Sequence, residues 1–186
     1  YSGNSLASLG NEIRYNYIHD TNCGLGAVYL DDFLSGQKVN SNIFENVKSA
    51  YFVHGGVWNR FENNLVVNAE RGALVRGKGE YWQWNTTPAP TEVSNYFMYQ
   101  LLKFPYQSEF WQKAYGNVLA YVNNKTNGLP EHSIVGGNYF IDVATPVAAL
   151  GEEDEKGLEV GTNYSSMTDE QKQGYGAIKQ QCGVKQ

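Results

Sequence analysis

The sequence predicts an all-β solenoid, a chain wound into stacked parallel coils, and three observations lead there. A ten-residue pattern occurs four times, at 11–20, 37–46, 59–68 and 133–142. Each copy has a polar residue, a large apolar residue two later, an Asn three after that, another apolar residue, and a final Asn or Asp. Copies two and three lie 22 residues apart and copies one and two lie 26 apart, and one turn of a parallel β-solenoid takes about 20–25 residues. The third observation is alternation. Asn42, Phe44 and Asn46 repeat with the period of two that a strand requires.

Each part of the pattern has a physical role in that fold. Ile13, Val39, Phe61 and Val135 are expected to stack on one another inside the coils. Ile18, Phe44, Val66 and Phe140 are expected to form a second interior stack. Asn16, Asn42, Asn64 and Asn138 fall at one place, between two short strands. An Asn tolerates the left-handed backbone of a tight corner, and stacked Asn amides bond to one another along a stack of strands. Antiparallel hairpins would not require one residue type every 22 positions.

Further residues carry a resemblance. The first copy is followed by Gly26, Ala27, Val28, Tyr29, Leu30, Asp31 and Asp32, then Ser35-Gly36. His54-Gly55-Gly56, Asn59 and Asn63-Asn64 come next. With these residues the chain resembles right-handed parallel β-helix proteins, the pectin-lyase-like proteins common among secreted carbohydrate-active enzymes. The glycoside hydrolase branch looks most similar. Phe104 to Ser108, Trp111 and Tyr115 resemble an excursion between coils in that branch. The resemblance covers roughly residues 1–145. It implies a right-handed parallel β-helix and a carbohydrate ligand. The fold alone also hosts lyases, hydrolases, epimerases and inert spikes.

Composition bounds the rest. The chain has 186 residues, a net charge of -5 and a pI near 5.2. One core suffices for that length. The acidic balance argues against nucleic acid and anionic membrane surfaces, which call for a basic patch. No apolar run of about 18 residues is present, so no membrane span is expected. Tyr1 begins the sequence without a signal-peptide pattern and in mid-coil. The expectation is a fragment, a processed chain, or part of an assembly that supplies the missing N-terminal coils.

In order along the chain, 1–150 is expected to be the parallel β-helix domain, with 79–131 an aromatic-rich, partly helical excursion between coils. Helix-compatible spacing covers 92–103 and 108–121, broken at Pro105. The tail at 151–186 is polar, and is expected to pack on the solenoid or to be partly helical. Within it Ser166 to Glu170 resembles a helix start. Asn85, Asn124 and Asn163 begin sequons and are candidate glycosylation sites in a secreted, extracellular glycoprotein. Cys23 and Cys182 either pair in an oxidising compartment or remain unrelated thiols. No metal site and no cofactor are expected.

The candidate chemistry lies in one column. If Val39 and Phe61 are equivalent, Asp32, His54 and Arg76 fall one above another at steps of about 4.8 Å, with Asp31 beside them. Gly55, Gly56, Gly77 and Gly79 leave access to these positions. Tyr81, Trp82 and Trp84 follow directly, and aromatic faces stack on sugar CH surfaces. Glycoside hydrolysis needs two carboxyl groups flanking the bond. The resemblance makes Asp31 and Asp32 the catalytic candidates, with Glu80 as another carboxylate. His54 and Arg76 would bind or orient substrate. Two other readings remain open. A polysaccharide lyase would use Arg76 or Lys78 as base. A non-catalytic module would serve as a spacer, adhesin or filament component, its charged column an ordinary ladder.

Overall fold

The computed structural model describes residues 2–3, 9–77, 104–115 and 129–181. Eleven strands are described: β1 (Ser2–Gly3), β2 (Glu12–Arg14), β3 (Tyr17–Thr21), β4 (Val28–Asp31), β5 (Lys38–Asn40), β6 (Ile43–His54), β7 (Arg60–Glu62), β8 (Leu65–Arg76), β9 (Ser133–Gly136), β10 (Tyr139–Ala149) and β11 (Leu158–Val160). Three helices are described with them: α1 (Glu109–Tyr115), α2 (Glu152–Gly157) and α3 (Asp169–Gln181).

The expected all-β solenoid, a right-handed parallel β-helix, is corrected by this arrangement. The strands form two parallel sheets, one of six strands (β1, β4, β6, β8, β10, with β3 also on β6) and one of five (β2, β5, β7, β9, β11). Helices α1 to α3 accompany them. The reason for the difference is physical. A repeated apolar–Asn–apolar pattern fixes which residues pair between neighbouring strands. It fixes neither the path linking one sheet to the other nor the helices beside them.

Pairing between neighbours is parallel and regular. Val39 lies beside Phe61, Phe61 beside Val135, and Ile13 beside Val39. Phe44 lies beside Ile18 and Val66, and Val66 beside Phe140. These residues make up much of one apolar cluster. Phe61 is fully buried and stacks on Tyr51, ring centroids 4.7 Å apart. Burial pushes the Tyr51 hydroxyl's pKa up.

Asn16, Asn42, Asn64 and Asn138 form a ladder. Asn42 Nδ2 donates to Asn64 Oδ1 at 3.1 Å, and Asn64 Nδ2 donates to Asn138 Oδ1 at 3.0 Å. The left-handed backbone expected at these Asn falls instead on the residue before: Tyr15, Ser41, Asn63 and Gly137. That shift frees the Asn amide to turn inward and bond along the stack. Asp20, Asn46, Asn68 and Asp142 are also left-handed, one within each of β3, β6, β8 and β10.

Helix α1 falls within the helix-compatible stretch 108–121. Helix α3 starts three residues past Ser166, with Thr168 as its cap. Gln171 N–H donates to Thr168 Oγ1 at 3.2 Å, and Thr168 N–H to Gln171 Oε1 at 2.8 Å, a reciprocal capping box. The helix lies on the outer face of the larger sheet. Gln171 Nε2 donates to the Tyr139 hydroxyl, and Lys179 pairs with Glu45 at 2.6 Å.

Candidate functional site

The candidate site sits at the end of the larger sheet, where β4, β6 and β8 stop. Their last residues are Asp31, His54 and Arg76. His54 and Arg76 are register partners, as expected. The carboxylate beside His54 is Asp31, which corrects the expected column of Asp32, His54 and Arg76. Val28 pairs with Tyr51, an offset of 23 residues, while Ile43 pairs with Leu65, an offset of 22. One extra residue therefore enters between β4 and Ser35. It is absorbed at Asp32 and Phe33, both left-handed, with φ of 49° and 62°.

Left-handed backbone is rare for residues other than Gly, Asn and Asp. Asp32 suits such a turn; Phe33 does so only because its side chain is buried, 1% exposed. Asp31 Oδ1 accepts the Asp32 backbone N–H at 2.8 Å and lies 3.1 Å from His54 Nδ1. Leu34 N–H closes the turn on the Asp31 carbonyl at 3.0 Å. On the next strand Gly55 N–H donates to the Arg76 carbonyl at 2.7 Å. Gly56 is obligatory here. It is left-handed, and a Cβ would stand 2.2 Å from the Leu34 carbonyl oxygen.

Strand alternation places Tyr29 and Phe52 on the same face as Asp31 and His54. Their rings stack 5.0 Å apart, and Phe52 stacks on His54 at 5.6 Å. The imidazole is thus held by a ring on one side and a carboxylate at Nδ1. His54 and Asp31 side chains are 21% and 15% exposed, so the pair is partly shielded yet reachable. A carboxylate at Nδ1 orients an imidazole and leaves Nε2 as the nitrogen that faces away from it. The arrangement can orient a proton-transferring imidazole and hold an anion or hydroxyl at the Arg76 end.

The structure brings together Asp31, Asp32, His54 and Arg76. Glu80, Tyr81, Trp82, Trp84, Lys78 and Gly79 lie outside the described residues, as do Asn85, Asn124 and Cys182. Cys23 is exposed with a free thiol, whose pKa is lowered by backbone hydrogen bonds from Gly26 and Leu25. Among the described residues, no group of three or more His, Cys, Asp or Glu is placed to hold a metal. No described helix is long and apolar enough to cross a membrane.

Asn163 is placed differently from the sequence expectation. It is the fifth rung of the Asn ladder. Its Oδ1 accepts from the Asn138 backbone N–H and Nδ2, both at 3.0 Å. Its Nδ2 donates to the Gly161 and Val135 carbonyls at 3.1 and 3.3 Å. The amide nitrogen a glycan would need is engaged in the fold. A signal for this was present: Gly161-Thr-Asn163-Tyr164 repeats the spacing of Gly136-Gly-Asn138-Tyr139.

A concavity lies at the strand bends, a groove of 620 Å³ lined in part by Asp20, Asn46, Asn68 and Asp142. Asn68 Nδ2 donates to Asn46 Oδ1 at 2.7 Å, and Asn46 Nδ2 to Asp20 Oδ1 at 3.2 Å. Hydrogen bonds from His19 and Asn46 hold the Asp20 carboxyl below its usual range. Comparison with family models, curated proteins and solved structures gave no match.

Proposed function

We propose that the chain is a secreted carbohydrate-active protein whose Asp31–His54 end hydrolyses glycosidic bonds. The observation that carries this reading is the Asp31–His54 contact at 3.1 Å beside the left-handed turn at Asp32. Two adjacent carboxylates thereby receive different surroundings. Asp31 is engaged by the Asp32 N–H and by His54. Asp32 leaves the strand on the turn and, as general acid, protonates the leaving-group oxygen as the glycosidic bond breaks, while the Asp31 carboxylate takes the proton of the water that bonds to the anomeric carbon. With Nδ1 facing Asp31, His54 offers Nε2 to a sugar hydroxyl. Arg76 holds a carboxylate or hydroxyl of the sugar.

The experiment is a screen of plant, algal and host glycans for released reducing ends. Active wild-type protein, with Asp32→Asn lowering the rate by about 10²–10⁴-fold and His54→Ala by less, supports the reading. Full activity in the Asp31→Asn, Asp32→Asn double variant removes it. One observation favours a second, non-catalytic reading as a structural or adhesive module. Asp31 Oδ1 already serves the turn by accepting the Asp32 N–H. Absence of product on every glycan favours that reading.

A further inference from the structure

We propose that the groove at the strand bends binds a neutral saccharide, whose hydroxyls fill a break in the row of side chains that crosses it. Asp20, Asn46, Asn68 and Asp142 share one register on β3, β6, β8 and β10. The row has a direction. Asn46 Nδ2 donates to Asp20 Oδ1, and Asn68 Nδ2 donates to Asn46 Oδ1. One rung further on, the side chain at 142 is the one placed to donate to Asn68 Oδ1. An ionised carboxylate has no proton to give. Asn68 Oδ1 and the Asp142 carboxylate are thus two acceptors on adjacent strands, about 4.8 Å apart. Neither receives a hydrogen bond among the described residues.

The rest of the groove extends this unmet demand. Its 620 Å³ lies within the range of about 300–1,000 Å³ of small-ligand sites. It crosses four strands, three steps or about 14 Å. Glu70 and Lys48 also line it, and neither forms a hydrogen bond or ion pair among the described residues. The Thr21 hydroxyl belongs to the same lining, and it is shielded and has no partner there. Ala144 adds a small apolar surface between the polar groups. The groove lies near the start of β6, at the other end of that strand from His54.

These groups define the occupant. Acceptors predominate, so the ligand must donate several hydrogen bonds. Lys48 requires an acceptor, and Asp142 and Glu70 repel an anion. A hydroxyl both donates and accepts, and a neutral saccharide carries many of them on a CH framework. A bare cation fits less well. Among the described residues no three carboxylates, imidazoles or thiols converge, whereas Ca²⁺ takes six to eight oxygens. The choice of a saccharide rests on the proposed glycosidic activity; the unpaired acceptors do not. Asn46 and Asn68 show that an amide is accommodated at this bend, and an Asn at 142 would complete the row. The acid there gives up a rung of cohesion and keeps two acceptors open to a ligand.

The test measures binding rather than cleavage. Neutral oligosaccharides of glucose, xylose, mannose and galactose are titrated calorimetrically into the Asp32→Asn protein, in which the proposed hydrolysis is suppressed. Oligogalacturonate is the acidic probe. The expected result is that a neutral probe binds and the acidic one binds more weakly. Adding Asp142→Asn is expected to raise the urea midpoint and to weaken binding by about tenfold. Asp142→Ala is expected to weaken binding without raising the midpoint. Binding that both variants leave unchanged overturns the proposal, as does an Asp142→Asn midpoint equal to that of the parent. So does a preference for oligogalacturonate, or no binding of any neutral probe. Binding through Asp142 by a wild-type protein that cleaves no glycan upholds this site and removes the hydrolytic reading. Cleavage accompanied by binding indifferent to Asp142 removes this site alone.

Discussion

Two corners of the same strands behave in opposite ways. Where β5, β7 and β9 give way to β6, β8 and β10, the Asn ladder repeats rung for rung, every amide with the same partners. Where β4 and β6 end, the two strands leave the sheet differently. One turns through Asp32 and Phe33, and the next through Gly55 and Gly56. The first corner is neutral and amide-lined, and Asn42, Asn64 and Asn138 within it are buried. The second collects a carboxylate, an imidazole and a guanidinium that remain within reach of solvent. Repetition is suited to cohesion, since identical groups satisfy one another along a stack. A site for an asymmetric ligand needs the repetition broken.

The sharpest way to break that contrast is Asn64→Ala. It leaves the Asn42 backbone N–H without its partner in a buried place and takes one of its donors from the Val39 carbonyl, which stays paired in the sheet. An orphaned buried group costs about 1–3 kcal/mol and a further lost hydrogen bond about 0.5–1.5 kcal/mol, so denaturant unfolding should show a loss of about 2–4 kcal/mol. Asn16→Ala removes only an end rung and should lose far less. Equal losses would mean that the ladder does not hold the corner together.

The ladder was legible in the sequence because it depends on spacing alone. Asn42 and Asn64 sit 22 residues apart, and so do their strand partners. Asn163 was harder to see, since its copy lacks the final strand and passes through Ser165 towards α3. The charged corner was only half legible. His54 over Arg76 follows from the same spacing. Asp31 in place of Asp32 does not, because one residue is absorbed by backbone dihedral angles that no residue pattern announces. The overall architecture was the least legible part. Local periodicity describes neighbouring strands; it is silent on how the two sheets are joined and on helices such as α3.

The second prediction addresses the charged corner. Asp31→Ala removes the acceptor for the Asp32 N–H and the partner of His54, both in a partly exposed place. A typical net hydrogen bond is worth about 0.5–1.5 kcal/mol, and thermal or urea unfolding should lose about that much. Asp31→Asn keeps a carbonyl acceptor and should lose less. A loss as large as that of Asn64→Ala would erase the distinction between a cohesive corner and a functional one.

Asp32→Asn should be smaller still. Asn is at ease in left-handed backbone, and a surface change of this kind shifts stability by about 0.5 kcal/mol or less. The midpoint of unfolding should therefore stay put while the rate of glycan cleavage collapses. A clear loss of stability would assign Asp32 to the fold rather than to chemistry.

The smallest effect is a pH dependence, and it distinguishes the amide ladder from the ionic contacts elsewhere. No rung of the ladder titrates, so that corner contributes equally at all moderate pH. Glu45 on β6 does titrate. Burial raises its pKa, but hydrogen bonds from Lys179 of α3 and from Tyr17 outweigh that, and the net shift is downward from 4.5. The folded form therefore holds its proton less tightly than the unfolded chain. The sign follows from linkage: the stabilisation is fully present above the unfolded pKa and is lost as pH falls through the folded one. Wild-type protein should lose part of its stability below about pH 4.5, and Glu45→Gln should flatten that part of the curve. Glycines 174 and 176 weaken α3, and a Cβ at either meets nothing within 4 Å. Gly174→Ala should therefore tighten the helix and keep Lys179 on Glu45 to lower pH. Urea midpoints measured from pH 3 to pH 7 on these three proteins check it, and an unchanged slope in Glu45→Gln would mean that the Glu45–Lys179 contact does not carry the acid sensitivity.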